Sequence, residues 1–149
     1  MSDLALKEET AVSNIKENQK RLLSLANALL ALPPEFKDEL EVMHHALPGV
    51  YVRTVLMKAG QVVVGRIHKY DHIAIISAGK ALVTSADFEE GPREIKAPFI
   101  FKSAPGAMRG LLILEDCVWT TIHSNPDNKD DWDDMINVYS TIDPNEVSL

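Results

Sequence analysis

The stretch that most constrains this chain runs from Gly60 to Gly79, GQVVVGRIHKYDHIAIISAG. It sets His68 and His72 between two glycines in a segment whose apolar residues alternate like β-structure, and a further strand-like run over residues 81–85 follows at once. The neighbouring sequence continues in this manner. Residues 50–57 are rich in β-branched and aromatic side chains, Lys58-Ala59-Gly60 reads as a turn, and residues 61–67 read as a second strand. Residues 72–77 and 81–85 read as a strand pair about the turn Ala78-Gly79-Lys80. Residues 94–97 and 99–102 read as short strands separated by Pro98, and residues 108–114 and 117–123 as a last pair joined at Glu115-Asp116. Short strands with Gly- and Pro-bearing turns at this spacing predict a mainly β domain, a sandwich or barrel, over residues 49–124.

The flanks read as helical. Residues 4–32 form one long amphipathic pattern, with Ser2 or Asp3 as N-cap, Glu8 and Glu9 near the positive end of the dipole, and Pro33-Pro34 as the stop. Ile15, Leu22 and Leu29 fall seven apart, and Leu25 and Leu32, with Ala11 and Asn18, continue the alternate row. This seam admits two readings, a helix lying on its own domain or one that self-associates as a coiled coil. A length of about 43 Å, longer than a small barrel is wide, favours a partner chain. A shorter helix is expected over residues 34–46, with Pro34 first and Phe36, Leu40, Met43 and Leu47 on one face, closed by Pro48-Gly49. Residues 1–48 thus read as a helical segment. On that helix His44 and His45 would point about 100° apart, as surface or packing residues. Residues 125–149 read as an acidic tail whose DDWDDMI run starts a short helix. That run lacks the glycine and terminal glutamate of an EF-hand loop.

A chain of 149 residues suits one domain. Its net charge of −7, without any cluster of Lys and Arg, speaks against nucleic acid and anionic membranes as partners. Cys117 is the sole cysteine, so no internal disulfide forms, and a small buried hydrophobe is its expected role. The first residues carry acids where a secretory signal carries bases, and the apolar run 22–32 is too short to span a bilayer. The expected location is the cytoplasm.

Counting from Gly60 gives five residues, Arg66, one residue, His68, three residues, His72, six residues and Gly79. This spacing resembles the first motif of the cupin superfamily, Gly, five residues, His, one, His, three or four, Glu, six, Gly. The second cupin motif, Pro-x-Gly-x-x-His with Asn four residues on, is similar to Ala104-Pro105-Gly106-Ala107-Met108-Arg109, with Ile113 at the Asn position. The resemblance covers about residues 50–123 and implies a double-stranded β-helix of jelly-roll type, preceded by the two N-terminal helices and followed by the short C-terminal one. The run LEDCVWTTIH also resembles small cupin-like proteins of tailed phages and bacteria, which implies a virion as a second possible location.

In metal-dependent cupins the ligands are the two His and the Glu of the first motif and the His of the second, positions that here read Arg66, His68, His72 and Arg109. A guanidinium offers no lone pair and would repel a divalent ion, two unit charges 4 Å apart costing about 4 kcal/mol at an effective dielectric of 20. One divalent transition metal would therefore need a third ligand besides His68 and His72, for which His123 is the first candidate and Glu115 the next. Alternatively, Arg66, His68, His72 and Arg109 converge as an anion-binding pocket for carboxylate or phosphate. Three functions follow from this reading. The one placed first is a non-enzymatic jelly-roll protein without a cofactor, a homo-oligomeric structural component of an assembly such as a phage particle, joined through its N-terminal helix. The others are a metal-dependent enzyme acting on a small molecule and a small-anion binder.

Overall fold

The computed structural model describes residues 2–36 and 39–149. Among them are two α-helices, α1 (Asp3–Leu30) and α2 (Trp132–Tyr139), and nine strands: β1 (Glu41–Leu47), β2 (Gly49–Met57), β3 (Val62–Val64), β4 (Ile67–His68), β5 (His72–Ser85), β6 (Arg93–Lys96), β7 (Phe99–Ser103), β8 (Arg109–Asn125) and β9 (Ser140–Thr141). The chain is mainly β, and every strand pair is antiparallel. No described helix is long and apolar enough to cross a membrane.

The architecture rests on two long strands. β5 and β8 pair along most of their length, with register shifts between Ile76 and Ala81. Beyond the shifts each strand changes partner. The first half of β5 pairs with β7 and the second with β6, while the first half of β8 pairs with β3 and the second with β2. Residues of both halves, among them Val55, Ile76, Phe101 and Trp119 on one side and Val83, Ile95, Leu111 and Ile113 on the other, bury themselves in one core. The bent sheet thus closes over its own apolar face.

The two hairpin turns expected at Ala78-Gly79-Lys80 and Glu115-Asp116 are instead this bend. They face each other as irregularities within continuous strands, with Ala78 opposite Val118 and Lys80 opposite Glu115. The register shifts invert the inward phase of β5, whose buried positions change from His72, Ala74 and Ile76 to Ala81, Val83 and Ser85. Gly79 makes this possible, with φ +89° and a backbone so close to Asp116 that a Cβ would collide with its carbonyl. On β8 the inward face is Cys117, Trp119 and His123.

The helix expected over residues 34–46 is a correction. Residues 37 and 38 lie outside the described residues, Pro34–Phe36 is one 3-10 turn, and Glu41–Leu47 is an edge strand whose ladder to β2 runs from Glu41↔Leu56 to Leu47↔Val50. The apolar spacing that suggested a helix belongs to a stretch too short to nucleate one cheaply. Pro48-Gly49, with Gly49 at φ +79°, turns the chain straight back and supplies a ladder.

α1 ends within two residues of the expected limits and is capped by the Ser2 side chain, which accepts from the Ala5 N–H at 3.2 Å. Its middle lies on the chain's own body. Leu22 packs with Ile67, Met108 and Val147, buried Gln19 donates from Nε2 to the Gly106 carbonyl at 2.8 Å, and Asn18 donates to the Ala86 carbonyl at 3.1 Å. Leu25 and Leu30 stay exposed.

Candidate functional site

Side chains of β2, β3 and β8, with His68 of β4 and His72 at the start of β5, surround a chamber of about 300 Å³. α2 covers it. Asp131 caps this helix by accepting from the Asp133 N–H, and the helix, which follows β8 after the connection 126–131, brings Trp132, Ile136 and Tyr139 over the interior. β9 then pairs with β4, and the Lys69 N–H donates to the Tyr139 carbonyl at 2.7 Å, which fastens the cover beside His68.

Three histidines and a tyrosine meet beneath this cover in one stacked group. Ring centroids of His68 and His72 lie 3.8 Å apart at 16°, those of His68 and His123 5.4 Å apart at 11°, and those of His123 and Tyr139 3.8 Å apart at 18°. His72 and His123 are almost fully buried. Burial first and the Arg109 guanidinium second push His72 down to about 4, and burial, His72 and Arg53 push His123 down to about 3. His68 is lowered well below its ordinary value by burial and then by the other two histidines and both arginines. All three are neutral imidazoles near pH 7.

The chamber's charge therefore comes from guanidinium groups. Arg109, at the start of β8, stacks over Phe101 at 4.3 Å and donates to Ser103 Oγ at 2.7 Å. Arg53, inward on β2, stacks over Trp132 at 4.7 Å. The Nε of each is buried without a hydrogen-bond partner. Burial lowers both pKa values, but from so high a starting point that both groups stay charged. No Asp or Glu stands among the described residues lining the chamber.

Of the residues singled out in the sequence, His68, His72, His123 and Arg109 come together. Arg66 stands at the chamber's edge and turns to the cover, donating from Nε to Ser140 Oγ at 2.9 Å and from an Nη to Asn137 Oδ1 at 3.0 Å. Glu115 lies at the bend, where it pairs with Lys80 at 3.8 Å. Arg53 was not foreseen. The period-two alternation of Tyr51, Arg53, Val55 and Met57 carries the signal, since the other three are all buried. Tyr139 and Trp132 had no such signal, because only folding back of the tail brings them here.

A resident metal does not fit this arrangement. The buried, unpartnered Nδ1 of His68 and both ring nitrogens of His72 have lone pairs to offer. Yet a lone pair lies in the plane of its ring, so nearly parallel stacked rings aim theirs side by side and not at a common point. Two permanent cations share the chamber. Among the described residues, no three His, Cys, Asp or Glu side chains are grouped to hold a metal ion.

No family model matches the chain, and no curated protein matches it in sequence. Several solved structures are similar in fold. The DMSP lyase DddQ from Ruegeria pomeroyi is 17% identical, with a TM-score of 0.50 over 64% of this chain and 51% of that one. The plu4264 protein from Photorhabdus luminescens is 11% identical, with a TM-score of 0.50 over 62% and 80%. An RmlC-like cupin family protein with a double-stranded β-helix fold, from Methanocaldococcus jannaschii, is 10% identical, with a TM-score of 0.49 over 62% and 86%. At such identities the likeness is one of fold.

Proposed function

We propose that this protein binds a small organic anion inside its barrel, with Arg53 and Arg109 as the anchoring cations. The observation that carries this reading is a pair of half-buried arginines, each with a buried, unpartnered Nε, in a chamber whose described lining holds no acid, Asp87 acting on Arg109 from outside that lining. Removing a cation from water without a full counter-charge is unfavourable, and an incoming carboxylate or phosphate supplies that charge together with acceptors for the two Nε–H groups. The neutral imidazoles of His68 and His72 add uncharged hydrogen-bonding groups to the same lining. This deepens the anion-binding alternative from the sequence and replaces Arg66 with Arg53. The assembly role placed first there is not the reading advanced, because Leu22 and Asn18 of the heptad seam are committed to the chain's own body. The metal-dependent alternative meets the stacked rings.

Thermal unfolding in the presence of acetate, longer carboxylates and inorganic phosphate tests the proposal. A ligand at a hundredfold its Kd stabilises the folded state by about 2.7 kcal/mol. That shift should appear in the native chain and in the exposed-surface control Arg21→Ala, and vanish in Arg53→Met and Arg109→Met. Equal shifts in all four proteins would remove the two arginines from the site.

A further inference from the structure

The interior is graded along the barrel. Across β2, β8, β5 and β7 the ladders place Arg53, Thr121, Ala74 and Phe101 at one level, and Val55, Trp119 and Ile76 at the next, two residues nearer the bend. Met57 and Cys117 follow. The opposite wall has the same gradient, from Arg109 opposite Ser85, through Leu111 opposite Val83, to Ile113 opposite Ala81. Arg109 stacks on Phe101, so the two guanidinium groups reach the same level from opposite walls. The chamber extends beyond them, where its lining is apolar: Val55, Met57, Val63, Leu111 and Trp119. Its volume of about 300 Å³ is about that of ten waters in the liquid, far more than a carboxylate head group fills.

From this gradient we infer that the ligand is an amphipathic carboxylic acid, its head group held between Arg53 and Arg109 and its hydrocarbon body lying toward Met57 and Trp119. This rests on the anion-binding reading and adds the class of anion. A fully hydrated ion such as phosphate would leave the apolar half in contact with water. An alkyl or aryl body displaces that water and gains the transfer free energy of each buried carbon. The planar guanidinium fork meets a carboxylate with two parallel N–H···O bonds.

Calorimetric titration of the full chain with acetate, butyrate, hexanoate and octanoate, and with inorganic phosphate, tests this inference. The expected affinity rises about fourfold per methylene until the chamber is full. Val63→Thr, a change of nearly constant volume at a half-buried lining position, should weaken octanoate several-fold and leave acetate unaltered. Equal affinity for acetate and octanoate, or tighter binding of phosphate than of any carboxylate, overturns the amphipathic class and leaves an anion site standing. If none of the carboxylates nor phosphate binds, or if binding survives in Arg53→Met and Arg109→Met, the anion site itself falls.

Discussion

At the scale of single residues, the stacked histidines turn burial into a dependence on pH. The folded-state values of His72 and His123, about 4 and about 3, lie below the ordinary 6.5. Between those limits the unfolded chain binds more protons than the folded one, so stability is complete above about pH 6.5 and falls as pH drops toward the folded values. Each histidine that stays neutral in the folded state contributes a slope of about 1.4 kcal/mol per pH unit. Urea denaturation between pH 7 and pH 5 should show this fall, and His123→Phe, which keeps the stack on Tyr139, should make it shallower. An unchanged slope in that variant would mean that His123 titrates freely when folded. The same residues show the limit of sequence reading. His68, His72 and Arg109 are legible because motif spacing marks them, and Arg53 is legible in the alternation of β2. That Arg66 turns to Ser140 and Asn137 follows only from where the tail lies.

At the scale of elements, the bend in β5 and β8 decides the shape of the barrel, and Gly79 decides the bend. Gly79→Ala should cost about 1–3 kcal/mol for the φ of +89° alone, and the collision with the Asp116 carbonyl adds to that. Loss of the urea midpoint measures the effect, and a neutral substitution would place the strain elsewhere. α1 gives a second case. Leu22→Ala leaves a cavity among Ile67, Met108 and Val147 and should destabilise by about 2–5 kcal/mol. A helix held only by a partner chain would lose self-association on this change and keep its monomer stability. Glycine and proline punctuation located the strands between residues 50 and 123 in the sequence, though not β1 or β9. It did not distinguish a turn from a bulge, because both demand a residue tolerant of positive φ and only the partner strand determines which one forms.

At the scale of the whole molecule, the C-terminal segment completes the chamber. Trp132 and Tyr139 cover it, β9 pairs with β4, and Val147 packs beside Leu22. Ending the chain after Asp131 should abolish the carboxylate-induced thermal shift and lower the intrinsic melting temperature. Retention of the shift would show that the ligand sits on the open sheet and needs no cover. Chelator treatment is expected to leave the melting temperature of the full chain unchanged. A drop reversed by adding back a transition metal would reinstate a metal centre at the three histidines.

What the sequence alone determined is what local physics encodes: period-two alternation over residues 49–124, a long capped helix ahead of it, a short acid-led helix behind it, and a histidine spacing that points into a barrel. Tertiary structure alone decided the rest. Edge pairing with β2 made residues 41–47 a strand, because a ladder outweighs the weak helical preference of so short a run. Two strands distant in sequence bent together, and the tail folded over the open end, so that arginines from β2 and β8 line one chamber that neither segment defines by itself.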